Sequence, residues 1–159
     1  MSTTISTLRT NVLAAVAAVL PAGTDVFEAR VPAASFSVAI RQPAVVVSYA
    51  GKPKREGGPI GNRGRQGYVY AFTIAVVESD WASPAGAAYR AADLAELLLG
   101  SPALPDATDN LRTLSLGTVH DEEVFLRFVS ESLEIDPGST AQGGKFALVQ
   151  QWETNEVRC

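Results

Sequence analysis

Histidine, cysteine and long apolar runs are scarce in this chain of 159 residues, and each scarcity excludes a class of protein. The single cysteine, Cys159, excludes a disulfide framework within the chain. His120 is the single histidine, and the sequence contains no recognised spacing of metal-ligating residues. No apolar run reaches the roughly 18 to 20 residues of a membrane-spanning helix. The N-terminal residues carry only Arg9 and lead into an alanine-rich amphipathic stretch, so we expect neither a secretory signal nor membrane insertion.

The composition is that of a single globular domain, residues 1–159. Apolar residues make up 47% of the chain and charged residues 19%, which is too apolar for a disordered protein. At this length roughly 70% of the unfolded surface is expected to be buried, so a core can form without metal or disulfide.

Charge is distributed unevenly along the chain. Residues 1–50 carry +1, residues 51–66 carry +4 and residues 67–159 carry −9, for a total of −4. We call residues 51–66, GKPKREGGPIGNRGRQ, the basic segment; its five glycines and two prolines cannot fill a core. Its basic side chains are Lys52, Lys54, Arg55, Arg63 and Arg65. We expect it to form a flexible hairpin tip, because so little apolar surface cannot offset the entropy of ordering it.

Two helices are predicted. Apolar residues recur at helical spacing from about Thr4 to Leu20, where Pro21 stops the pattern. The second helix begins with Ser83 as N-cap and Pro84 in the first helical position, and ends at Gly100.

Strand patterns occupy most of the remaining chain. PAVVVSYAG (43–51) and GYVYAFTIAVVES (67–79) are rich in β-branched and aromatic residues and flank the basic segment, which predicts a hairpin with a long tip. The second of these strands is apolar on both faces, which indicates a central strand covered on both sides. Further strands are predicted at 25–30, 111–116, 124–135 and 145–152, and residues 154–159 are expected to fray.

This order of elements predicts an α+β fold, with two helices packed on one face of a mixed, mostly antiparallel sheet that carries a long basic hairpin loop. Connections as long as the basic segment are uncommon in small domains and are often functional. The basic segment lacks the Gly-Lys-Ser/Thr ending of a phosphate-binding loop. It also leads into a strand and not into the N-terminus of a helix, so nucleotide binding is disfavoured. Two roles remain open for the basic segment. It contacts nucleic acid backbone or an acidic partner, or it is a solvated loop without a partner.

Three other groups of residues are candidates for chemical sites. His120 to Glu123 place four potential metal ligands side by side, but adjacent positions rarely converge on one ion, so a charged turn is favoured. Nothing in the sequence places a histidine base beside Ser130 or Ser132, which argues against a catalytic triad. Trp81, Trp152 and the tyrosines are better explained as core or interface anchors than as a platform for stacking bases. We therefore predict no enzyme activity, cofactor or metal.

The assembled pattern resembles the phage tail terminator proteins, in particular the Gp37-like family of Mu-type phages. The resemblance spans nearly the whole chain. It is carried by the amphipathic N-terminal helix, PAVVVSYAG, the glycine-rich basic insertion, YVYAFTIAVV, SPAGAAYRAADLAELLLG and FALVQQWET. It implies a structural virion protein that forms a ring, commonly a hexamer, at the head-proximal end of the tail tube.

Such a ring stops tube growth and joins the tail to the neck proteins, and the family has no catalytic residues. The resemblance also implies assembly in the host cytoplasm, a place in the virion tail, and transient contact with DNA passing through the ring. In a closed ring, one patch of each subunit meets a different patch of the next, and the basic segment is the candidate for one patch. The alternative is a small adaptor that binds nucleic acid backbone through the basic segment, although a net charge of −4 and a pI near 5.0 disfavour it.

Overall fold

The first helix, α1, spans Thr4–Val19, in agreement with the sequence prediction. The computed structural model describes residues 4–29, 44–51, 54–55, 67–79, 84–100, 110–112, 114–119, 121–135 and 145–158. Leu8, Val12 and Val16 lie one helical turn apart on α1 and are fully buried. On the same helix, the Asn11 side chain donates a hydrogen bond to the carbonyl of Leu116 at 2.6 Å, which ties α1 to the end of the sheet.

The second helix, α2, spans Pro84–Leu99, again as predicted; its expected N-cap, Ser83, lies outside the described residues. Its buried residues include Ala91 and Ala95, whose small side chains allow the helix backbone to approach the sheet closely. Gly100 follows with φ +82°, and a Cβ there would collide with the side chain of Asn110. Only glycine therefore suits this helix end.

The described strands form two sheets. Their bounds are β1 Asp25–Ala29, β2 Ala44–Tyr49, β3 Lys54–Arg55, β4 Gly67–Val69, β5 Ala71–Ser79, β6 Ser115–Val119, β7 Glu122–Ile135, β8 Lys145–Thr154 and β9 Val157–Arg158. The larger sheet has the order β1-β2-β5-β8-β7-β6, and the smaller has the order β3-β4-β9. Only β1 and β2 pair in parallel among these strands, so the mixed, mostly antiparallel α+β fold is confirmed.

Both helices pack on one face of the larger sheet. Their buried side chains share one apolar cluster with Val45, Val47, Phe72, Ile74 and Val76. The other face of β2, β5 and β8 carries a second buried cluster: Val46, Ala75, Val77, Ala147 and Val149. The prediction that β5 is a central strand buried on both faces is therefore confirmed.

Three local expectations need correction. The strand expected at 111–116 is displaced: β6 begins at Ser115, and the backbone N–H of Leu111 donates to the carbonyl of Leu98 near the end of α2 instead of joining a ladder. Strands β2 and β5 pair as the predicted hairpin, but Lys54 and Arg55, expected in its flexible tip, form β3 and pair with β4. The tail expected to fray contributes β9, and Val157 is fully buried.

Most of the basic segment lies outside the described residues, as do the turn predicted at Asp136-Pro137-Gly138 and the arginine at position 30. Neither described helix is long and apolar enough to cross a membrane.

We predict that Phe72→Ala lowers the free energy of unfolding by about 3 to 5 kcal/mol, because it leaves a cavity where a ring is now 1% exposed. Tyr89, on α2, is 73% exposed and provides the control, since Tyr89→Ala should change stability by no more than about 0.5 kcal/mol. Denaturant melts measure both values. Equal losses in the two variants would show that Phe72 is not a core residue.

Candidate partner interface

Strand β7 runs far beyond its outer neighbour. Its first residues pair with β6, from Val119 opposite Glu122 to Ser115 opposite Phe125. Its other side pairs with β8 from Leu126 to Ile135. From Leu126 onward none of the described strands pairs with the side of β7 that faces away from β8. We call this side of Leu126–Ile135 the β7 outer edge.

The β6–β7 connection accounts for this short pairing. Asp121 adopts φ +66°, a left-handed conformation that aspartate tolerates, and reverses the chain between Val119 and Glu122. Strand β6 then has an irregularity between Ser115 and Thr118, where Gly117 has φ +86°. Because β6 pairs with only the first residues of β7, the rest of the longer strand has no partner on that side among the described strands.

Apolar side chains concentrate on this exposed strand. Four of the seven large apolar side chains that are exposed in the described residues belong to β7: Phe125 at 36%, Phe128 at 37%, Val129 at 50% and Leu133 at 53%. Covering the exposed halves of Val129 and Leu133 would contribute roughly 1 kcal/mol each. Long edge strands with exposed apolar side chains are templates for pairing with another chain.

The β7 outer edge is acidic. Glu131 and Glu134 are exposed, whereas the one basic residue, Arg127, binds Glu153 of β8 at 3.0 Å. The ladder also has a bulge between Phe128 and Ser130. A bulge bends a strand and interrupts its pairing, so the regular stretch available on this edge is Ser130–Ile135.

The position of β7 is fixed by a buried polar side chain on β8. Gln150 is fully buried; its amide nitrogen donates to the carbonyl of Ala95 at 3.0 Å and to the Glu131 carboxylate at 2.9 Å. Its amide oxygen accepts a hydrogen bond from the Trp152 indole at 2.9 Å. Both donor hydrogens and the acceptor are thus used, which a buried amide requires.

An aromatic contact adds to this anchor. The ring of Phe128 meets the fully buried ring of Trp152 edge to face, with centroids 5.5 Å apart. These contacts fix β7 to the buried core, and a fixed backbone suits a surface that recognises a partner.

The basic segment starts from the opposite end of the larger sheet. Strand β3 pairs with β4, and β4 leads directly into β5. The first residue of β5, Ala71, lies opposite Glu153 of β8. Glu134 of β7 lies opposite Ala147 of β8. Ala147 and Glu153 are six residues apart on β8, which corresponds to about 20 Å along the strand. Strand β3 and the acidic part of β7 thus lie at different ends of the subunit.

The structure locates only part of the predicted basic site. Lys54 and Arg55 form β3, whereas Lys52, Arg63 and Arg65 lie outside the described residues. In the small ladder Lys54 pairs with Val69, and Arg55 pairs with Tyr68.

The other candidate groups have structural roles where they are described. Glu122 and Glu123 begin β7 at a charged turn, and the described residues contain no group of three potential metal ligands. Trp152 is a core residue, as favoured above, whereas Trp81 lies outside the described residues. Ser130 and Ser132 are exposed on β7.

Sequence reasoning missed both the β7 outer edge and the role of Gln150. The apolar pair Phe128-Val129, which breaks the alternation along β7, was a signal for the bulge. Which side of a strand lacks a neighbour has no sequence signal, because it depends on the lengths of strands distant in the chain.

Comparisons with known proteins leave the family open. No family model matches the chain, and no curated protein matches it. Among solved structures it is similar to a chain in "Virion of native gene transfer agent (GTA) particle", with 16% identity, a TM-score of 0.45, and coverage of 94% of this chain and 90% of that chain. A likeness at this level does not assign a function.

We predict that Gln150→Leu lowers the free energy of unfolding by about 1 to 3 kcal/mol, because it leaves the buried Trp152 indole N–H without its acceptor. The neighbouring Gln151 accepts a single hydrogen bond, from the Thr73 hydroxyl at 3.0 Å, so Gln151→Leu should cost only about 1 kcal/mol. Urea melts compare the two variants. If Gln150→Leu proves the milder substitution, Gln150 does not anchor β7.

Proposed function

We propose that this protein is a structural subunit of a phage tail, a tail terminator whose ring caps the tail tube and joins it to the neck proteins. The sequence resemblance to the Gp37-like terminators supports the specific assignment. The helices and strands on which that resemblance depends form at the expected places in the chain, apart from the corrections given above.

The observation that carries the proposal is the separation of two unlike surfaces on one small subunit. The basic segment leaves one end of the larger sheet, and the acidic, partly apolar β7 outer edge extends to the other. A ring needs such a head-to-tail arrangement, in which one patch meets a different patch on the neighbour. Opposite charges on the two patches fix register and partner choice.

The proposed partners follow from the ring. They are further copies of this chain, with six as the expected number, together with the tube protein and the neck proteins. DNA passing through the ring would make transient contact with the subunits. Assembly would take place in the host cytoplasm, and the mature location would be the virion tail. No catalytic activity or cofactor is proposed.

A second candidate function rests on the charge of +4 in the basic segment. A small adaptor could use these side chains on nucleic acid phosphates, which requires charge but no sequence reading. The net charge of −4 and the pI near 5.0 of the whole chain disfavour tight binding of this kind.

We predict that reversing Lys54, Arg55, Arg63 and Arg65 to glutamate abolishes ring or tail assembly while the monomer stays folded. Reversal places like charges together across the docked interface, at a cost of several kcal/mol. Sedimentation velocity measures assembly, and circular dichroism measures the fold. A variant with the same four residues changed to glutamine should assemble better than the glutamate variant, because it loses attraction without gaining repulsion.

The adaptor predicts a different result. The glutamate variant would then assemble like the wild type but lose a salt-dependent affinity for DNA, with a slope of about one unit for each phosphate contact removed. Normal assembly together with unchanged DNA binding would contradict both functions.

A further inference from the structure

We propose that the β7 outer edge of one subunit pairs with β3 of a second copy of this chain. The proposal rests on the proposed function, because it names the two surfaces through which neighbouring subunits of the ring meet. It commits to a head-to-tail contact between backbone edges, reinforced by opposite charge.

Within the described part of the chain, each of the two edges has one side without a partner strand. Strand β3 is the terminal strand of the smaller sheet and pairs on one side with β4. None of the described strands pairs with its other side. Ser130–Ile135 presents a regular edge after the β7 bulge, and addition of a strand at such an edge satisfies backbone N–H and C=O groups on both partners.

Charge and apolar exposure select β3 of a second copy as the occupant. Lys54 and Arg55 form the whole of β3, and the edge that would receive them carries Glu131 and Glu134. Leu133, which is 53% exposed, lies on the same face of β7 as Glu131, with Glu134 on the other face, and would lose contact with water when a strand adds there. Oppositely charged pairs across neighbouring strands are stabilising.

Two competing arrangements are disfavoured. Pairing of β3 with β7 in one subunit is prevented by their positions at opposite ends of the larger sheet. Antiparallel pairing of two β7 strands would bring two acidic edges together, and like charges on neighbouring strands are destabilising. A head-to-tail contact leaves one open edge at each end of any open chain of subunits, so closure into a ring satisfies every edge.

Single-cysteine variants test the contact directly. Cys159→Ser gives a background without cysteine, into which Ser130→Cys, Ser132→Cys and Lys54→Cys are introduced separately. Because a disulfide requires Cα atoms within about 7 Å, oxidation reports close approach only. We expect a cross-linked dimer when Lys54→Cys is mixed with one of the β7 variants, and no dimer from any variant alone. Ala92→Cys, on the exposed face of α2, mixed with Lys54→Cys is the control for random collision.

The outcomes are separable. Dimers from a β7 variant alone would show β7–β7 pairing and overturn the proposal, as would equal yields with Ala92→Cys or no dimer in any mixture. If the wild type forms closed rings while the mixtures give no dimer, the proposed function stands and this contact is wrong. If the mixtures cross-link but only open chains form, the contact is correct and the terminator function is wrong.

A charge variant provides a second test that leaves the backbone in place. Ser132→Lys with Glu134→Lys puts positive charge on the β7 outer edge, where exposed lysines block strand addition. Ala92→Lys with Glu96→Lys makes the same charge change on the exposed face of α2. We expect loss of the oligomer in the first variant and retention in the second, by sedimentation velocity. Retention in both variants would overturn the proposal.

Discussion

The hydrogen bonds of Gln150 hold together the parts of the protein on which its surface depends. This side chain lies in the buried centre of β8 and joins the backbone of α2, the indole of Trp152 and the carboxylate of Glu131 on β7. A buried amide is costly unless every donor and acceptor is used, and here all of them are. Small residues on α2 make the arrangement possible, because Ala95 allows the helix carbonyl to come within 3.0 Å of the amide. The acidic edge strand is thereby fixed to the core.

The surface that results is asymmetric. One end of the larger sheet continues into the strands that begin and end the basic segment, and the other end carries the uncovered part of β7. Exposed apolar side chains and an open edge are disadvantages for an isolated subunit, since they promote unintended association. They become useful when a defined partner covers them. The proposed ring supplies such a partner at every edge without requiring a second protein species.

Local patterns predicted most of the fold. Both helices follow from apolar spacing and from Pro21, Pro84 and Gly100, and the apolar faces of β5 indicated its central position. Leu111 misled the prediction, because an apolar residue in a turn that packs on a helix end resembles the start of a strand.

The C-terminal residues 154–159 were expected to fray because most of them are polar. Val157 is apolar in a polar context, and its burial depends on a tertiary contact with β4. The interface was the least predictable feature. The basic segment is visible as composition, but the β7 outer edge exists only because β6 and β7 differ in length.

The deciding measurement is the mass of the wild-type protein in solution, with and without DNA. We expect a single closed species of about six subunits of 16.8 kDa, at high concentration or on tail tubes, whose mass is insensitive to added DNA. A monomer under all these conditions that forms a salt-sensitive complex with DNA would contradict it.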